Sequence, residues 1–385
     1  MTSRIVTIFM TILLSIGVAL AQDVAAENLA CDSEPVIHTT PSGVDYVRTP
    51  DACFEDVEFP GIDYEPQYVE IDGLRVHYAE AGPEDGQPIL MLHGEPSWSY
   101  LYRKMLPVFA DAGYRAIAMD FIGAGRSDKP VNLDYYSYLG QADEIMTFIE
   151  ALDLKNVTLV VQDWGAYVGL RPVGLQPENF ARVVLMNGQL PVIPEGRLPY
   201  EPIENPDEID TTLEPFYADW PDQQELMRDE AGNSLLELSF DEIFIDWMAY
   251  TLKNPNFRAS ETLEGITWFP LSDEVKAAYD APYPSREYMA LARYWPSMML
   301  EVEGLNQDAW QGLTRFEKPF LTIYAPNDAG ILGEAETYQR YIDNVPGAVG
   351  QPHSTVTEAS HYLQEDQGGE IARRIVDFID ANPLP

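Results

Sequence analysis

With 385 residues, 46% of them apolar by type and 11% aromatic, the chain is long enough for a large α/β core carrying an insertion. Its 63 acidic residues against 23 basic ones leave a net charge of −40 at pH 7, a surface that repels nucleic acid and anionic membranes. The same imbalance fits a protein that works in high salt, where self-repulsion is screened.

The N-terminus reads as a processing signal. Arg4 supplies a positive start, Ile5 to Leu20 is apolar apart from Thr7, Thr11 and Ser15, and Ala19-Leu20-Ala21 fits the small-x-small cleavage rule. Residues 1–21 are therefore expected to be a cleaved signal peptide, with Gln22 the first mature residue. The apolar run is short for a full membrane span, so a periplasmic or secreted protein is expected, with no membrane attachment after cleavage. Cys31 lacks a lipoprotein context, because Asn28 stands where an aliphatic residue is needed. In an exported chain, Cys31 and Cys53 predict one disulfide that tethers an N-terminal extension over residues 22–62. This extension is rich in Pro, Asp and Glu and is expected to wrap the surface. The two cysteines form no C-x-x-C or paired Cys/His spacing, which argues against a zinc or redox site.

The first part of the core is placed at 63–188. Tyr68 to Ala79 alternates and breaks at Asp72-Gly73, a hairpin signal. Pro88 to Leu92 reads as a buried strand ending at His93-Gly94-Glu95-Pro96. A helix over Leu101 to Ala112, a strand over Arg115 to Met119 and a loop from Asp120 to Pro130 follow, then a helix from about Ser137 to Leu152. Strands and helices alternate as in a doubly wound, mostly parallel sheet flanked by helices.

Thr158 to Gln162 is an apolar, β-branched run, and Gly165, Ala166 and Gly169 mark a helix packed tightly on the sheet. The turn between them has the pattern of a nucleophile elbow, where one side chain is held exposed above the sheet on a strained bend. The usual occupant is serine; here it is Asp163. Taken alone, an Asp at this place also fits the N-cap of an ordinary βα unit. As a nucleophile its chemistry differs from that of serine. A carboxylate needs no base to remove a proton and can displace a leaving group from saturated carbon. The resulting ester must then be hydrolysed by an activated water.

After the strand Val183 to Met186 the pattern changes. Residues 189–285 are Pro-rich and acidic, carry Trp220, Trp247 and Trp268, and include a helical stretch over Leu235 to Leu252. They read as an inserted helical cap. The second part of the core, 286–385, resumes with the strand Phe320 to Ala325, which ends at Pro326-Asn327-Asp328. A helix from about Glu334 to Ile342, the segment around His361 and a closing helix over about Gly369 to Ala381 complete the chain. Asp163, Asp328 and His361 thus stand in the order nucleophile, acid, histidine, the order of the α/β-hydrolase triad. Ligands in such sheets bind beyond the carboxyl ends of the strands.

The run His93 to Met105 (HGEPSWSYLYRKM), the loop Asp120 to Pro130 and Val160 to Gly165 (VVQDWG) resemble haloalkane dehalogenases. The similarity is greatest to the subfamily whose triad acid follows the strand after the cap. Arg48-Thr49-Pro50 and Asp280-Ala281-Pro282-Tyr283-Pro284 extend it, over roughly residues 46–380. The resemblance implies an α/β-hydrolase fold with a helical cap, Asp163 as nucleophile, His361 as general base and Asp328 as the acid orienting it. It implies backbone N–H groups of Glu95 and Trp164 as an oxyanion hole. The leaving halide would lie between the indole N–H groups of Trp164 and a cap tryptophan. Trp247 is the best match, with Trp268 and Trp220 as alternatives. The Glu95 side chain is left open between a contact with the hydrolytic water and a salt-bridged turn residue. The implied partners are a small halogenated alkane, water and halide, with no metal or cofactor. An epoxide hydrolase shares the fold and an Asp-Trp elbow but needs cap tyrosines such as Tyr250 or Tyr288. A non-catalytic binding protein typically loses a triad member, and here all three positions are filled.

Overall fold

The computed structural model describes residues 29–195, 240–328 and 332–384. The expected signal peptide (1–21), Trp220 and the acidic first half of the expected cap lie outside the described residues. Among the described residues, no helix is long and apolar enough to cross a membrane.

The central sheet has eight strands: β3 (Gln67–Ile71), β4 (Leu74–Ala81), β5 (Pro88–Leu92), β6 (Arg115–Met119), β8 (Val157–Gln162), β9 (Phe180–Met186), β10 (Phe320–Tyr324) and β11 (Ser354–Thr355). Their spatial order is β11-β10-β9-β8-β5-β6-β4-β3. From β11 to β6 all neighbours run parallel, while β4 is antiparallel to both β6 and β3. The β3–β4 turn is Asp72-Gly73, with φ of 52° and 85°, the positive values a tight hairpin demands.

Burial follows the two-residue period of a strand. In β8, Leu159 and Val161 face one core layer and Val160 the other; in β9, Val183 and Leu185 oppose Val184 and Met186. Both faces must be apolar because both are covered. The first layer is closed by α2 (Tyr138–Ala151) and α3 (Trp164–Leu175), which contribute Ile145, Phe148 and Leu170. The second is closed by α1 (Leu106–Asp111) and α10 (Leu363–Ala381), which contribute Phe109, Ile371 and Phe378.

Two expected helices differ from those observed. The one over Leu101 to Ala112 is split into a 3₁₀ turn, Ser99–Tyr102, and α1. Pro107 lacks the N–H needed to continue a helix from Leu101 and starts a new one instead. The closing helix is found as expected from just after Gln367 to Ala381, but a further helical turn from Leu363 precedes it across a kink at Gln367, whose φ of −130° and ψ of 26° leave the helical region.

The extension does more than wrap the surface. β1 (His38–Thr39) and β2 (Asp45–Val47) form a small antiparallel sheet with β7 (Lys129–Pro130). Cys31 and Cys53 are disulfide-bonded. Phe54 and Phe59 are buried with their rings against Trp98. Arg48 grips buried Asp128 through Nε at 2.7 Å and a second nitrogen at 2.9 Å. The Thr49 hydroxyl donates to the Pro282 carbonyl at 2.8 Å, so the extension reaches the far end of the cap segment as well.

A net charge of −40 opposes compaction through self-repulsion. Raising NaCl toward about 1 M, where the Debye length is about 3 Å, is therefore expected to raise the melting temperature, read by calorimetry. A flat or falling Tm would contradict this electrostatic account.

Candidate active site

The elbow is held by three features. Asp163 has φ 49° and ψ −128°, a conformation costing a non-glycine residue about 1–3 kcal/mol. Its N–H donates to the Asn187 carbonyl at 2.8 Å, and its own carbonyl accepts from the N–H groups of Ala166 and Tyr167, both at 2.9 Å. The helix that follows lies almost on the sheet: a Cβ at Gly165 would stand 2.2 Å from the Leu92 carbonyl oxygen. Gly165→Ala must push α3 away from β5 and is expected to cost about 3 kcal/mol or more, read as a fall in urea midpoint. Loss of under 1 kcal/mol would mean that the helix is free to shift.

The three sequence-predicted groups meet at the carboxyl ends of the strands. His361 Nδ1 lies 2.9 and 3.0 Å from the two Asp328 carboxylate oxygens. Its Nε2 lies 3.5 Å from Asp163 Oδ2. Burial disfavours the charged imidazole, but Asp328 and Asp163 outweigh it and push the His361 pKa up to about 10. While both carboxylates are free, His361 is thus a cation between two anions.

Asp163 Oδ1 accepts from the Glu95 backbone N–H at 2.8 Å. A Cβ at position 94 would lie 2.0 Å from that same oxygen, so only glycine lets this turn approach the Asp163 carboxylate. The turn is braced by the Tyr362 hydroxyl, which donates to the Glu95 carbonyl at 2.6 Å. Trp164 is the first residue of α3, which puts its backbone N–H at the helix N-terminus beside Asp163.

The Glu95 side chain is buried, and no cation forms a salt bridge with it among the described residues, so the salt-bridged alternative is not what is found. Burial first, and repulsion from Asp163 second, raise its pKa well above the usual carboxylate range; a hydrogen bond from the Trp247 side chain and the charge of His361 oppose the rise. That hydrogen bond places Trp247 of α4 (Phe240–Lys253) at the site. Its ring stacks on Tyr250 at 5.6 Å and meets Phe257 edge-on at 6.0 Å. The Trp268 side chain, by contrast, is exposed, and its backbone N–H donates to Asp366. The Trp164 indole is buried, stacked on Trp295 at 6.4 Å.

A family model described as alpha/beta hydrolase fold matches residues 87–328. The chain is 37% identical over 346 residues to the haloalkane dehalogenase of Mycolicibacterium paratuberculosis, covering 87% of this chain and 98% of that one. It is 35% identical over 347 residues to the haloalkane dehalogenase of Psychrobacter cryohalolentis, covering 88% and 99%. The chain belongs to the haloalkane dehalogenase family. Among solved structures, the tetrameric haloalkane dehalogenase DpaA of Paraglaciecola agarilytica aligns with a TM-score of 0.65 and 28% identity, covering 86% of this chain and 97% of that one.

In this chain Asp328 follows the post-cap strand β10, and the end of the neighbouring strand β9 carries Asn187. Asn187 was not singled out from the sequence, yet it ties the site together. Its side-chain amide donates to the carbonyls of Ser360 (3.0 Å) and His361 (3.2 Å) and accepts from the Ala325 N–H (2.9 Å). Gln162 was also missed; its amide nitrogen lies 3.2 Å from both His361 Nε2 and the His361 carbonyl. Gln162 stands next to Asp163 in sequence, and Asn187 follows the end of a strand, signals that only the positions of their neighbours make legible.

Proposed function

We propose that the chain hydrolyses haloalkanes to an alcohol and halide through a covalent ester on Asp163. The observation that carries this reading is the state of the elbow carboxylate: one oxygen is held by the Glu95 N–H at 2.8 Å, and the other lies 3.5 Å from His361 Nε2. In the first step a carboxylate oxygen attacks the carbon bearing the halogen, the C–O bond forms as the C–X bond breaks, and halide leaves with the electron pair. No proton moves. The indole N–H groups of Trp164 and Trp247 receive the halide, donors without formal charge that suit a weakly basic anion. Halide competes with the Glu95 carboxyl for the Trp247 donor.

In the second step His361 Nε2 takes a proton from water as its oxygen attacks the ester carbonyl. Negative charge collects on the carbonyl oxygen, where the N–H groups of Glu95 and Trp164 stabilise it. Collapse breaks the acyl C–O bond; the alkoxide takes a proton from His361, the Asp163 carboxylate is restored, and one proton leaves to solvent. Asp328 holds Nδ1 and balances the imidazolium throughout. The chemistry asks for the carboxylate and water, with no cofactor. The apolar N-terminal run and the Cys31–Cys53 bond support export to the periplasm or beyond, where disulfides persist.

The test is halide release from 1-bromobutane and 1,2-dibromoethane, with styrene oxide as a control. Bromide and butanol in equal amounts are expected. Diol from the epoxide without bromide would move the reading to an epoxide hydrolase, and silence on all three to a binding protein.

A further inference from the structure

The base nitrogen of His361 has two neighbours with opposite preferences. Asp163 Oδ2, 3.5 Å away, favours a proton on Nε2. The Gln162 amide nitrogen, 3.2 Å away, favours a bare lone pair there, because a protonated Nε2 would meet it N–H against N–H. The orientation of the amide is fixed independently of the imidazole. Its nitrogen also lies 3.2 Å from the His361 carbonyl oxygen, which accepts only, so the NH₂ end must be the one that faces His361. Gln162 is fully buried at the last position of β8, and its Oε1 has no partner among the described residues. The side chain therefore gains only the contacts with His361.

We propose that Gln162 is a positioning residue that sets the protonation state of His361, returning it to the neutral base once Asp163 has been alkylated. The proposal rests on the two-step reading above. Before the first step His361 carries a proton, held by Asp328 on one side and Asp163 on the other. Such a histidine cannot accept a proton from water. Ester formation abolishes the charge on Asp163 and removes one of the two attractions. What then remains at Nε2 is burial and the Gln162 dipole, both of which disfavour the cation. His361 loses its proton to solvent and becomes a base at the step that requires one. The other charges near it are Asp328, which stays paired to Nδ1 throughout, and the Glu95 carboxyl. Asp366 faces the Ser360 N–H of the same loop at 3.0 Å.

The experiment is rapid-quench kinetics with 1-bromobutane across pH on the wild type, Gln162→Leu and Gln162→Glu, with Gln162→Met as a second uncharged variant should leucine fail to fold. Bromide burst rate reports alkylation, and loss of the alkyl-enzyme by intact mass reports hydrolysis. Alkylation is expected to stay within a few-fold of wild type. Hydrolysis at neutral pH is expected to slow about tenfold in the leucine or methionine variant and about a hundredfold or more in the glutamate variant. In each, the pH at which hydrolysis reaches half its maximum moves upward, furthest for glutamate, because a carboxylate would hold the proton on. Slower hydrolysis with an unmoved pH profile would reduce Gln162 to a packing residue and overturn the proposal, as would unchanged hydrolysis. Absence of any bromide release from the wild type, in burst or steady state, would instead remove the dehalogenase reading itself, leaving the two failures distinct.

Discussion

An Asp163→Asn variant is expected to release no halide, with turnover down by at least about 10⁴-fold, while the fold persists. The substitution is nearly isosteric. The backbone bonds that hold the elbow, from Asp163 N–H to Asn187 and from Ala166 and Tyr167 to its carbonyl, are untouched. The carboxamide oxygen can still accept from the Glu95 N–H, now found at 2.8 Å from Oδ1. What is lost is the negative charge that makes the oxygen able to attack carbon. The variant also has the charge of the alkylated enzyme without its alkyl group. Asp163 is among the groups that push the His361 pKa up to about 10. With that charge gone the histidine must titrate lower, and the Glu95 carboxyl, which Asp163 repels, must titrate lower too. Proton NMR of the His361 ring across pH would check the first shift. A His361 pKa unchanged by the substitution would mean that Asp163 does not govern the base, whatever happens to halide release.

The parts of the fold that were legible in the sequence are those governed by local periodicity and by turn chemistry. The two-sided burial of β5, β8 and β9 is written as continuous apolar runs, and the Asp72-Gly73 hairpin as a residue pair that accepts positive φ. Asp163 was legible because small residues at 165 and 169 imply a helix pressed on a strand, Asp328 because it follows the strand Phe320 to Ala325, and His361 because it comes after that acid in the chain order of the triad. What was not legible depends on partners distant in sequence. Gln162 gains its meaning from His361, 199 residues away, and Asn187 from Ser360 and Ala325, 173 and 138 residues away. The link between Trp247 and Glu95 crosses from the cap to the turn after β5, and no pattern within either segment announces it. The anchoring of the extension is similar: its acidic, Pro-rich composition suggests solvent, whereas Phe54, Phe59 and Arg48 decide where it lies.

His361→Gln is expected to separate the two chemical steps. Alkylation needs only the Asp163 carboxylate and a site for halide, so one equivalent of bromide per enzyme should appear in a burst. Hydrolysis loses its base and should fall by about 10²–10⁴-fold, so the ester accumulates. Intact mass would then show the protein heavier by one alkyl group, and peptide mapping would place it on Asp163. Removing the imidazole also removes the positive charge between Asp163 and Asp328, which stand on either side of it at 3.5 and 2.9 Å. The two carboxylates then lack their shared counter-charge, and alkylation, which neutralises one of them, relieves that repulsion. The burst should therefore persist or quicken in the variant while steady-state turnover collapses. If the burst disappeared along with turnover, His361 would be required before the ester forms, and a mechanism in which Asp163 attacks unaided would have to be abandoned.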